Sequence, residues 1–114
     1  TWAFNQPLSF DTSSVTRYAS AFNQPLSFDT SSVTTMYSMF FDAASAFNQP
    51  LSFETSSVTN MGYMFLRASA FNQPLSFDTS SVTTMHSMFV IASAFNQPLS
   101  FDTSSVTAMN SMFE

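Results

Sequence analysis

One 13-residue block, FNQPLSFDTSSVT, recurs five times along the chain, at residues 4–16, 22–34, 47–59 (with Glu54 in place of aspartate), 71–83 and 95–107. Nothing else in the sequence restricts the fold as much. A unit that returns every 24 to 25 residues is too small to bury its own apolar face, so it must stack on its neighbours and share one core with them. Five units follow from the block starts: a short first coil at 1–21, full coils at 22–46, 47–70 and 71–94, and an incomplete last coil at 95–114. The first two blocks start only 18 residues apart, and the first unit lacks the MxxMF segment that follows the block elsewhere. Because the chain starts and stops inside a repeat, the expectation is a fragment or the ordered part of a longer protein.

Within each unit two spacings can be read. Val33, Met36, Met39, Phe40 and Ala43 recur at intervals of three and four, as do their counterparts in later units. Such spacing predicts an amphipathic helix on the outside of each coil, at about 58–67, 82–91 and 106–113 in the last three. The preceding Thr and Ser residues would serve as N-caps, and Gly62 would weaken one helix by roughly 1 kcal/mol. Across the turn, Leu51-Ser52-Phe53 alternates with period two, which predicts a short half-buried strand just after Pro50. The resulting expectation is an α/β fold: a right-handed solenoid, leucine-rich-repeat-like, with one short parallel strand and one outer helix per coil.

Charge narrows the partners. Two arginines, Arg17 and Arg67, face seven acidic residues for a net charge of −5, so phosphate neutralisation by clustered cations is not available and nucleic acid is not expected. With only 8% charged residues, the polar surface rests on Ser, Thr, Asn and Gln, and this leaves lateral or end-to-end self-association open. No apolar run is long enough for a transmembrane helix, and the absence of cysteine removes disulfides and thiolate metal sites.

The string FDTSSVTxMxxMF followed by ASAFNQPL, carried by almost the whole chain, resembles the BspA-like surface-protein repeat and mycoplasma-type lipoprotein repeats. That resemblance implies a leucine-rich-repeat-like scaffold in adhesion or protein binding, and an extracellular or cell-surface location.

Each chemistry-bearing residue type also has a structural role open to it. Asp11, Asp29, Glu54, Asp78 and Asp102 share one repeat position; a calcium row is conceivable, but an aspartate ahead of Thr-Ser-Ser more simply accepts backbone N–H groups in an Asx turn or cap. Asn5, Asn23, Asn48, Asn72 and Asn96 suit an amide ladder. Thr12, Thr30, Thr55, Thr79 and Thr103 with the adjoining serines could form a hydroxyl array for glycan or ice, or could serve as caps. The methionine pairs read as core and not as copper ligands, and His86 has no second His or Cys beside which to bind metal. No nucleophile is paired with a base, so no catalytic, cofactor or metal residue is assigned. Differences between units gather on the predicted outer helix and at its end; they read as drift on an unconstrained face or, alternatively, as a surface that reads a partner, for which Tyr37, Phe41, Tyr63, Arg67, His86 and Ile91 are the candidate residues. The expected function is therefore a non-enzymatic repeat scaffold for protein–protein binding, in adhesion or as a structural subunit of a larger assembly. Glycan or ice binding through the Thr/Ser array is the alternative.

Overall fold

The computed structural model describes residues 30–40 and 46–114. The short first coil, and Phe41 with it, lie outside the described residues. Successive units do stack: Thr35, Asn60, Thr84 and Ala108 form a column of single parallel bridges, each residue pairing with the one a repeat further on.

The expected α/β architecture is not what forms. Among the described residues there is no helix and no strand longer than an isolated bridge, so the right-handed solenoid of strand plus outer helix, leucine-rich-repeat-like, is set aside. The hydrogen bonds show why. In an α-helix every N–H turns back to the carbonyl four residues earlier. Here the N–H groups of Met61, Tyr63, Phe65 and Arg67 donate instead to the carbonyls of Thr84, His86, Met88 and Val90 in the next unit, at 2.8–3.0 Å. The N–H groups of the alternate residues close four-residue turns within the unit: Met64 to Met61, Leu66 to Tyr63 and Ala68 to Phe65. Residues thus alternate between bonding along the chain and bonding across to the neighbouring unit. The same outward ladder joins Met36, Ser38 and Phe40 to the third unit, and Met85, Ser87, Phe89 and Ile91 to the fifth.

Chained turns need left-handed residues, and the backbone has them. Tyr63 (φ 56°) and Arg67 (φ 61°) occupy the third position of their turns, the place where a type II turn requires positive φ. Ser38, Ser87, Ile91 and Ser111 repeat the pattern with φ of 54–57°. None is glycine, and Ile91 is β-branched, so each position holds strain of the order of 1–3 kcal/mol that the ladder must offset.

The apolar spacing survives although its helical meaning does not. Met61, Met64, Phe65 and Ala68 are all fully buried while Arg67 is exposed, because the turns 61–64 and 65–68 bring their first and last residues inward. Phe40, Phe65, Phe89 and Phe113 form one stack with centroids 5.4–5.5 Å apart and rings within 8° of parallel. Phe47, Phe71 and Phe95 form a second at 6.0–6.1 Å, wedged against the first at 4.5–4.8 Å. Such offset contacts add about 0.5–1.5 kcal/mol per pair beyond burial.

Across the turn, burial alternates as the Leu51-Ser52-Phe53 pattern requires, yet among the described residues no backbone ladder forms there. Side chains connect the units there. The Thr30, Thr55 and Thr79 hydroxyls, all buried, donate across at 3.0 Å to the carbonyls of Glu54, Asp78 and Asp102. The Asn48 and Asn72 side-chain oxygens accept the backbone N–H of Asn72 and Asn96 at 2.8 Å, and the amides of Gln73 and Gln97 reach the same oxygens. Prolines 50, 74 and 98 supply no N–H to a backbone ladder, and asparagine, glutamine and threonine side chains take its place.

Candidate functional site

The MxxMF segment is where units differ and where the outward ladder runs; in the second to fourth units its Met and Phe side chains are buried, and Tyr37, Ser38, Tyr63, His86 and Ser87 between the methionines lie nearer the surface. Tyr37 and His86 occupy the same repeat position, with Gly62 between them, and Tyr63 lies in the adjacent position. The three rings converge. Tyr37 meets Tyr63 edge-on at 5.3 Å and 84°, Tyr63 meets His86 edge-on at 4.7 Å and 86°, and Tyr37 lies 6.3 Å from His86. Tyr37 remains 40% exposed, while Tyr63 and His86 are half-buried.

Gly62 makes this convergence possible. A methyl group at that α-carbon would lie 2.8 Å from His86 Cε1, 3.1 Å from its Nδ1 and 3.2 Å from Asn60 Oδ1. The histidine ring fills the space a side chain would take. Asn60 holds the other side, accepting the Gly62 N–H at 2.9 Å; in the second unit Thr35 Oγ1 accepts the Tyr37 N–H in the same way. Gly62 is the residue that sequence reasoning missed. The spacing made it a weak point in a helix, whereas it is a notch for a ring. The available signal was that the chain's single glycine shares its repeat position with the single histidine of the next unit.

Of the six sequence candidates, Tyr37, Tyr63 and His86 are brought together. His86 is thereby half-buried, its ring against Tyr63 and Gly62. Arg67 and the 56% exposed Ile91 share another repeat position, each donating its N–H to the next unit. Phe41 lies outside the described residues.

The acidic row has a structural occupation. Ser56, Ser80 and Ser104 donate their N–H groups to Glu54, Asp78 and Asp102 at 2.8–3.0 Å, and Ser80 Oγ adds a 2.6 Å bond to Asp78. These are the expected Asx-type turns, without the helix they were also to cap. The serine hydroxyl first and the serine N–H second hold all three carboxyls below their ordinary values, opposed by desolvation and, for Glu54 and Asp78, by the next carboxylate in the row. Because the folded values are depressed, the stabilisation is complete above the unfolded values and disappears as pH falls through the folded ones. Unfolding midpoints followed by circular dichroism are expected to hold steady above about pH 5 and to decline below about pH 4. Asp78→Asn, which keeps one accepting oxygen, should flatten the decline; an unchanged acid limb in that variant contradicts the assignment.

Of the threonine row, Thr103 is exposed, Thr12 lies outside the described residues, and the three between them are buried. Thr30, Thr55 and Thr79 are 1–2% exposed and serve as cross-links between units. Exposed hydroxyl residues include Ser56, Ser57, Ser80 and Ser81, together with Thr59 and Thr83, whose Oγ1 atoms donate to the preceding unit. No helix among the described residues is long and apolar enough to cross a membrane.

A family model described as "Mycoplasma protein of unknown function, DUF285" matches residues 1–77 and, in a second overlapping match, residues 18–114. No curated protein and no solved structure matches the chain.

Proposed function

The chain belongs to this Mycoplasma family of unknown function, DUF285, and from that premise we propose a non-enzymatic scaffold that binds protein through the face carrying Tyr37, Tyr63 and His86. One observation carries the reading: residues that vary between otherwise uniform repeats do not scatter, but assemble three rings from three successive units into one patch. Tyrosine is favoured at binding hot spots because a rigid ring contributes contact area at low entropy cost while its hydroxyl tolerates water. The ladder beneath holds the rings in place before any partner arrives, which lowers the ordering cost of binding. Resemblance to BspA-like surface repeats supports a cell-surface setting and a role in adhesion or a larger assembly.

Labelled protein probed against protein and glycan arrays tests this. Saturable binding to a protein is expected, and Tyr37→Ala with Tyr63→Ala should weaken it at least tenfold, about 1.4 kcal/mol, while Thr79, remote in the repeat, stays native. Binding that survives the double substitution in a folded chain defeats the proposal. Glycan binding that instead fails when Ser56 and Ser80 are replaced would favour the hydroxyl surface, for which the geometry offers no separate support.

A further inference from the structure

Uniform repeats carry a difficulty of their own. Where five copies of one block offer the same core residues, the same Thr and Asn cross-links and the same phenylalanine column, any unit fits against any other, and alternative pairings compete with the native one. Native adjacency needs a feature that occurs once.

Gly62 and His86 supply it. At their shared repeat position the second unit carries Tyr37, the third Gly62, the fourth His86 and the fifth Asn110. The His86 ring reaches back onto the third unit and occupies the volume that a β-carbon would need. Only a glycine accepts a ring so close, and the chain has a single glycine. Tyr63 then closes on the seated imidazole, and Tyr37 on Tyr63, so the contact of the third and fourth units propagates to the second. Beneath the notch, the ladder bonds from Met61 to Thr84 and from Tyr63 to His86 measure 2.9 and 3.0 Å. We infer that Gly62 and His86 form a notch-and-ring lock that specifies which unit stacks on which, and that this lock, not the uniform block, assembles the aromatic patch.

The inference does not depend on what the patch binds, and it is tested by stability alone. Gly62→Ala is expected to lower the urea midpoint of the intact chain. In a His86→Ala background the ring is gone, and the same Gly62→Ala change should be neutral or raise the midpoint, since Gly62 does not have positive φ and alanine reduces the freedom of the unfolded chain. Exchanging the two residues, Gly62→His with His86→Gly, keeps composition constant but turns the ring towards a unit that offers Tyr37 and no notch. This exchange should cost at least as much as Gly62→Ala. Amide hydrogen exchange in Gly62→Ala should rise at Met61, Tyr63, Phe65 and Arg67, whose bonds cross that junction, more than at Met85, Ser87, Phe89 and Ile91, whose bonds cross the next. Equal effects of Gly62→Ala in both backgrounds, or an exchanged chain as stable as the original, overturn the lock. Should Gly62→Ala fail to fold, recovery of the fold in the double alanine variant still supports the pairing, and its failure to recover refutes it.

Discussion

Replacing Phe65 with alanine is expected to cost about 3–5 kcal/mol, enough to remove much of the stability of a domain this size. Phe65 is fully buried and lies at the junction of both ring columns: its centroid is 5.5 Å from Phe40, 5.5 Å from Phe89 and 4.5 Å from Phe71. Truncation therefore removes three ring contacts together with the transfer energy of the side chain. The site cannot collapse around the void, because ladder bonds from Phe40 to Met64 and from Phe65 to Met88 fix the backbone on either side at 2.9 Å. Phe113 provides the comparison within the same column. It is 64% exposed and stacks only on Phe89 among the described residues, so Phe113→Ala should cost about 1 kcal/mol or less. Urea titrations of the two variants measure the difference; equal losses would mean that the column does not act as a core.

The second large effect distinguishes the turn ladder from a helix. Ser87→Pro should cost about 3 kcal/mol or more. Proline removes the N–H that bonds Asn110 at 3.0 Å, and its ring holds φ near −65° where Ser87 needs 54°. A helix interior would be damaged by proline as well, so the informative partner is Ser87→Gly. In a helix that change costs a few tenths of a kcal/mol or more. At a left-handed position glycine instead relieves roughly 1–2 kcal/mol of steric cost, of which its greater freedom when unfolded takes back part, leaving a net gain of about 0.5–1 kcal/mol. A thermal midpoint that falls in Ser87→Gly contradicts the backbone described for this segment; Ile91→Gly should repeat the gain, being β-branched at the same conformation.

The sign of that last substitution marks where reading residues in order reaches its limit. Repeat length, the stacking of units and the identity of the inward side chains follow from spacing, and spacing is a property of the chain. Met61, Met64, Phe65 and Ala68 are inward under either backbone, because a helix returning every 3.6 residues and the first and last residues of the turns 61–64 and 65–68 place them alike. Asp78 before Thr-Ser-Ser specifies an Asx turn from local chemistry alone, and the turn is there. What spacing does not encode is the destination of each N–H. Met61, Tyr63, Phe65 and Arg67 can bond four residues back or across to the next unit, and the outcome depends on a neighbour's carbonyls arriving at the right height. Only the stacked assembly offers Thr84, His86, Met88 and Val90 for that purpose, and it compensates the left-handed strain at Tyr63 and Arg67.

The same division holds for the candidate site. Variation among the units singled out Tyr37, Tyr63 and His86 without showing that they touch, since they lie on three different units and in two different repeat positions. Their contact depends on a β-carbon absent at Gly62, a residue whose meaning was local in a helix and became tertiary once the His86 ring was seated against it. The five uniform blocks thus settle by themselves that units stack and which side chains lie within. How the backbone bonds, and where the unlike residues meet, is decided by packing one unit on the next, because a hydrogen bond or a ring contact between units has no counterpart in the order of residues along one.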